Sequence, residues 1–207
     1  MSSLKALWPF VAAMALVVAA SNVLVQYPVP WFGMGDVLTF GAFTYPVAFL
    51  VTDLTNRHFG ADRARIVVLA GFVIAVLASV YLATPRIAIA SGAAFLCAQL
   101  LDVTVFDMMR RQVWWRAPLI SSVIGSLLDT VIFFSLAFAA RFAWLDTAFA
   151  RPDGSLADPV AWMGGEAPLW VSLAFGDLAV KLLIALAMLA PYGALLNVLR
   201  PAPAAAE

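Results

Sequence analysis

One cysteine and one histidine are all that the 207 residues offer of the two side chains most used for metal ligation and disulfide linkage. Cys97 has no partner for an intrachain disulfide, so the fold must be held by helix packing, with Cys97 expected as a small packing residue inside its apolar run. A zinc site needs several His, Cys or carboxylate ligands within reach, and a lone His58 and an isolated Cys97 do not supply them. An intramembrane serine hydrolase would set a serine against a histidine inside the apolar region, whereas His58 falls in a basic link and is expected at the surface. No Walker-type glycine loop occurs, which excludes direct coupling to ATP within this chain. Charge is equally scarce: 12 Lys and Arg balance 12 Asp and Glu, so net charge is zero and there is no basic field for nucleic acid. This inventory points away from an enzyme and calls for no cofactor.

What the chain does have is hydrocarbon. Hydrophobic residues make up 64% of it and mean hydropathy is +0.98, far outside the soluble range. The class is an all-α integral membrane protein. At ~20 residues per span the length allows about six transmembrane helices in one domain, 1–207, with no room for a soluble enzyme domain.

The spans are read at 8–27, 37–54, 66–83, from the 84–86 turn to about Asp107, from after Ala117-Pro118 to about 140, and from 168 to about 191. The first is too long, and too poor in a small-residue cleavage site, for a removable signal, and is taken as retained. The second follows a turn at 28–35 and is interrupted by Gly41 and Pro46, which predicts a kinked or broken helix of the kind that often marks a site. Lys5, Arg57, Arg63, Arg65, Arg110, Arg111, Arg116 and Arg200 fall on one side, against Arg86, Arg141 and Arg151 on the other, so both termini are expected in the cytoplasm. The outer loop, 141–167, carries Asp146, Asp153, Asp158 and Glu166, and the 200–207 tail reads as disordered; neither shows recognisable chemistry. Trp114 and Trp115 beside Arg116 read as an interfacial aromatic belt.

Ionisable groups inside the spans carry the functional signal, because each costs ~2.5–3.5 kcal/mol at the bilayer centre. Asp129 lies about twelve residues, or ~18 Å, into its apolar stretch. Helical spacing puts Gln99, Asp102 and Phe106 on one face, and Ser122, Ser126, Asp129 and Phe133 on another. Phe49, Asp53 and Asn56 form a third stripe, and Asn22 and Gln26 lie one turn apart on the first helix; together these stripes would line a route across the membrane. Asp177 and Lys181, one turn apart, can neutralise each other, either as a helix staple or beside a substrate. Asp102 and Asp129 have no local cation and must protonate, find a partner or meet a ligand. Asp53 and Asn56, next to arginines at a helix end, fit a solvated interfacial role as well as a pathway role.

The linked motifs resemble a known family. Ser21-Asn22 with Gln26, Gly41-Ala42-Phe43 with Pro46, the run from Phe49 to Thr55, and Arg57-His58-Phe59-Gly60 are similar to the first half of the queuosine precursor transporters. Gln99-Leu100-Leu101-Asp102-Val103 with Phe106, Trp114-Trp115, Ala117-Pro118, Gly125, Asp129-Thr130, Phe133-Phe134, Asp177 with Lys181 and Pro191-Tyr192-Gly193 continue the likeness to the last span. The resemblance implies bacterial inner-membrane uptake of 7-cyano-7-deazaguanine and 7-aminomethyl-7-deazaguanine for tRNA queuosine synthesis. It also implies a fold like the six-helix substrate-binding components of energy-coupling-factor vitamin importers, which makes such a subunit the alternative function. Ala15 and Ala19 have the small-residue spacing that a docking face of that kind uses. The expected partners are the lipid bilayer, a small base and, in an assembly, further copies of the chain. The residues expected nearest the base are Gln99, Asp102, Phe106, Asp129, Phe133, Asp177, Lys181, Asn22, Gln26 and Asp53. A deazaguanine offers ring and exocyclic N–H donors to carboxylates, a carbonyl to Lys, Asn or Gln, and a flat face to aromatics.

Overall fold

The computed structural model describes residues 3–31, 34, 38–149, 157–162 and 164–198. The expected disordered tail at 200–207, Arg200, Arg151 and Asp153 lie outside them. The described residues fold into α1 (Ser3–Leu24), α2 (Gly41–Thr44), α3 (Val47–Phe59), α4 (Ala61–Leu82), α5 (Pro85–Met109), α6 (Arg116–Phe138), a 3-10 turn at Ala140–Phe142, α7 (Trp144–Ala148), β1 (Pro159–Trp162), β2 (Gly165–Pro168), α8 (Leu169–Ala187) and α9 (Leu189–Val198). The two strands form one antiparallel hairpin before α8, a small departure from a purely helical chain.

Five helical segments among these residues are long and apolar enough to cross a membrane: Lys5–Leu24, Ala61–Leu82, Pro85–Met109, Arg116–Phe138 and Leu169–Leu196. The segment expected at 37–54 is not among them as a single helix. Pro46 has no N–H to give, so the α-helical ladder stops at Tyr45, whose N–H reaches Gly41 O at 3.0 Å. Bonding resumes as tighter steps, Ala48 N–H to Tyr45 O at 3.0 Å and Phe49 N–H to Pro46 O at 3.1 Å. Tyr45 and Pro46 keep right-handed helical dihedrals, so α2 and α3 run on as one kinked path from 41 to 59, ~28 Å of rise.

Local chemistry places the other ends. Thr84 caps α5 by accepting from Ile87 N–H, and Pro85 fills the first helical position, where no N–H is needed. Between α3 and α4 the chain reverses at Gly60, whose φ of +88 favours a residue without Cβ.

α5 lies along α6 and α4, α1 along α4, and α8 along α6, while α3 sits inside against α1, α4 and α5. Leu7, Met14, Val18, Ala48, Val51, Val67, Val68 and Phe95 form the main core. In lipid such packing rests on close approach, and glycine permits it: a Cβ on Gly71 would stand 2.7 Å from Met14 Cγ and 3.1 Å from Phe95 Cζ. Trp8, Leu16, Leu77, Val80, Leu127 and Leu183 point outward as a lipid-facing girdle. Cys97 is exposed on this outer surface, not packed inside as expected, because it shares a face of α5 with lipid-facing Ile89 rather than with buried Phe95.

The start of α1, the α3–α4 turn and the α5–α6 turn meet at one end of the bundle, which gathers Arg57, Arg110 and Arg116. Phe106, Leu54, Ala117 and Tyr192 close the bundle there. His58 is half-buried in the last turn of α3, stacked on Phe10 and edge-on to Phe59, and so is less exposed than a surface loop residue would be.

Candidate functional site

In the other half of the bundle lies a cavity of ≈ 130 Å³. Its rim is set by Gln26 at the end of α1, Thr39 and the end of α4 at Leu82. Asp129 and Phe133 of α6 and Asp177 and Lys181 of α8 reach it from the opposite wall. Gly41 brings α2 against α1: a Cβ there would stand 2.9 Å from Val25 Cα, a backbone atom with no room to move.

Lys181 organises the charged wall. Its Nζ lies 2.7 Å from Asp129 Oδ2 and 2.5 Å from Asp177 Oδ2. Asp129, read from the sequence as lacking a local cation, therefore has one, supplied by a helix 52 residues further on. The Tyr45 hydroxyl donates to Asp129 Oδ1 at 2.8 Å, and Thr130 donates to Asp177 Oδ2 at 3.1 Å. Lys181 Nζ also stands 5.1 Å from the Tyr45 ring centroid. Two carboxylates against one ammonium leave one negative charge over, and each carboxylate oxygen keeps a lone pair for a further donor.

Asn22 is fixed on the α1 wall, its Oδ1 accepting from Ser79 at 2.8 Å and its Nδ2 donating to Val18 O at 2.9 Å. Ser21 donates to Thr44 at 2.9 Å, tying α1 to α2 beside the same space. Flat surfaces come from Phe133, Phe95 and Tyr45.

Six of the ten residues singled out in the sequence thus meet at one cavity: Asn22, Gln26, Asp129, Phe133, Asp177 and Lys181. Gln99, Asp102, Phe106 and Asp53 lie elsewhere, between the cavity and the basic end. Gln99 is fully buried and accepts from Thr52 Oγ1 at 2.6 Å. Asp53 accepts from Ser121 at 3.3 Å and lines a much smaller void with Leu50, Pro118 and Tyr192. Asp53 and Asn56 are buried, not solvated at an interface. Phe106 lies under Arg57, whose guanidinium carbon is 5.3 Å from its ring centroid. Arg57 Nε donates to Tyr192 Oη at 3.0 Å, and its other arm reaches the Arg110 carbonyl.

Two residues of consequence escaped sequence reading. Tyr45 had one signal, an aromatic placed directly before the proline that breaks its helix. Arg86 had none, having been read as part of a turn; it is buried, paired with Asp146 of α7, and donates to the carbonyls of Leu136 at 2.8 Å and Ala139 at 2.7 Å that end α6. The 141–167 segment thus contributes Asp146 to a buried ion pair.

Apolar helices with lipid-facing outer surfaces, closed at a basic end and hollowed by a charged cavity in the other half, define a multi-pass helical membrane protein. The family follows from similarity. A family profile described as "Putative vitamin uptake transporter" matches residues 39–84 and 75–195. The chain is 35% identical over 206 residues to the "Queuosine precursor transporter" of Escherichia coli (strain K12), covering 89% of this chain and 83% of that one. It is 36% identical over 215 residues to the "Probable queuosine precursor transporter" of Haemophilus influenzae, covering 88% and 83%. A Bacillus subtilis protein of the same description is 28% identical over 156 residues, covering 60% and 67%. The chain belongs to the queuosine precursor transporter family. No solved structure matches it significantly.

Proposed function

We infer that this protein is a bacterial inner-membrane carrier that takes up queuosine precursors, 7-cyano-7-deazaguanine and its 7-aminomethyl counterpart, for tRNA modification. The observation that carries this reading is the cavity wall of Asp129, Lys181 and Asp177 facing Asn22 and Gln26, with Phe133 alongside. A guanine-like edge presents adjacent N–H donors, which match carboxylates with acceptor capacity to spare, and a carbonyl, which matches an ammonium or amide. The relatives' names point to the same substrate class.

The membrane arrangement in this reading has six crossings in a single domain, the kinked α2–α3 path serving as the sixth beside the five long segments. With the basic end in the cytoplasm, both termini are cytoplasmic and the cavity faces outward, sealed below by Phe106, Arg57 and Tyr192.

Labelled-base uptake by the purified protein alone in liposomes tests the reading. Uptake without any other protein supports a self-sufficient carrier, and uptake only after a separate energising module is added supports the importer-subunit alternative. Unlabelled guanine should compete weakly and adenine scarcely, since a mismatched edge leaves buried polar groups unpaired at ~1–3 kcal/mol each. Competition by biotin equal to that of the deazaguanines overturns the substrate assignment.

A further inference from the structure

Below the cavity lies a second group of polar side chains that binding a base does not use. Asp53 of α3 and Asp102 of α5 are both buried, at 2% and 0% exposure, on stretches of the two helices that the Thr52–Gln99 and Asn56–Val103 hydrogen bonds hold against each other, and the Ser121 hydroxyl of α6 reaches Asp53. That hydroxyl has one hydrogen for two acceptors, Asp53 Oδ1 at 3.3 Å and the Pro118 carbonyl at 3.5 Å. Among the described residues no well-aligned donor meets either oxygen of Asp102.

Two adjacent carboxylates, both ionised and away from water, repel each other and lack solvation. A proton held between them turns one into a donor to the other. It also balances the local charge with Arg57, one turn beyond Asp53 along α3: two carboxylates, one guanidinium and one proton sum to zero. Tyr192 of α9, bonded to Arg57, is a titratable side chain lining the same small void as Asp53. α6 brings the uncharged Ser121, and the charged residues of α4 are confined to its first five positions at the basic end.

The pair is mechanically joined to the cavity. Tyr45, Phe49, Asp53 and Arg57 follow one another at four-residue spacing down the kinked α2–α3 path. The first holds Asp129 in the cavity wall, the second packs edge-on beneath it, the third is in the carboxyl pair, and the fourth ties to Tyr192 at the closed end. Between the two levels, Ser126 Oγ on α6 and Gln99 Nε2 on α5 are buried polar atoms without a hydrogen-bond partner among the described residues.

We propose that Asp53 and Asp102 hold one exchangeable proton between them and that the carrier moves this proton together with its substrate. Binding forms an O–H bond on one carboxyl and removes one negative charge; release returns the proton to water on the cytoplasmic side. The coupling half rests on the carrier reading above.

The test uses purified wild type and Asp102→Asn in liposomes with labelled 7-cyano-7-deazaguanine. Wild type should accumulate the base about tenfold for an inward gradient of one pH unit, because one proton moving down a tenfold ratio balances one neutral base moving up a tenfold ratio. A protonophore should abolish that accumulation. Asp102→Asn should exchange internal for external base within about twofold of wild type yet accumulate none. Accumulation by Asp102→Asn equal to wild type, or accumulation driven by a sodium gradient and indifferent to pH, overturns the proposal. Infrared spectroscopy without substrate tests the proton itself: a protonated-carboxyl band should be present in wild type and in Asp177→Asn and absent from Asp102→Asn. An unchanged band in Asp102→Asn overturns the proton site even if neither protein carries the base, an outcome that would refute the carrier reading separately. Asp53→Asn provides the same comparison if Asp102→Asn fails to insert.

Discussion

Lys181 Nζ stands 2.7 Å from Asp129 Oδ2, joining α8 to α6 across the wall of the cavity. The same ammonium holds Asp177 at 2.5 Å one turn before it, so one cation serves two buried carboxylates. That ratio sets the outcome of every substitution in the trio.

Asp129→Asn removes the surplus negative charge and leaves Lys181 matched one to one with Asp177. Insertion and melting temperature should change little, while uptake per folded protein should fall at least about tenfold, ~1.4 kcal/mol of lost substrate interaction. Wild-type uptake by this variant would remove Asp129 from the mechanism. Cells unable to synthesise the precursor provide the readout.

Lys181→Met strands two carboxylates and should cost ~3–5 kcal/mol of stability. Adding Asp177→Asn should recover only part of that loss, because Asp129 remains unpaired; adding Asp129→Asn as well should recover most of it. Thermal melting of the detergent-solubilised series would decide. A double variant as stable as the triple would mean that Asp129 does not depend on Lys181.

Tyr45→Phe deletes the hydroxyl that donates to Asp129 and keeps the ring packed edge-on against Phe49 and Phe95. Stability should drop by only about 1 kcal/mol, whereas the half-saturating substrate concentration should rise by about fivefold or more as Asp129 loses its orientation. An unchanged concentration dependence would make Tyr45 a packing residue alone.

Arg86→Met removes the partner of Asp146 together with two donors to the carbonyls that end α6, and should cost ~3–5 kcal/mol. Asp146→Asn should cost less, since those carbonyl bonds remain. The double variant should be no worse than Arg86→Met, and melting curves showing additive losses would argue against a coupled pair.

Much of this arrangement was legible in the sequence because its signals are local. Hydropathy and span length follow directly from composition, and the break in the second span follows from a proline that lacks an N–H. The Asp177–Lys181 contact spans one turn of one helix, so spacing alone predicts it. Shared faces such as that of Asp129 and Phe133 are likewise set by 3.6-residue periodicity.

Only tertiary structure decided which faces meet. Tyr45 and Asp129 are 84 residues apart, Arg86 and Asp146 are 60 apart, and Lys181 and Asp129 are 52 apart. Periodicity states that a residue lies on a stripe but not which neighbouring helix the stripe faces. The same limit placed Cys97 inside in expectation and outside in fact, since the run 93–98 around it is apolar on every side and gives little local sign of which side meets lipid. It also merged the polar stripes into one continuous route, whereas the bundle divides them into a cavity around Lys181 and a separate set of buried side chains that includes Asp53, Gln99 and Asp102. Helix rotation and the kink at Pro46 set that division, and both are outcomes of packing among all the helices at once, which no single segment encodes.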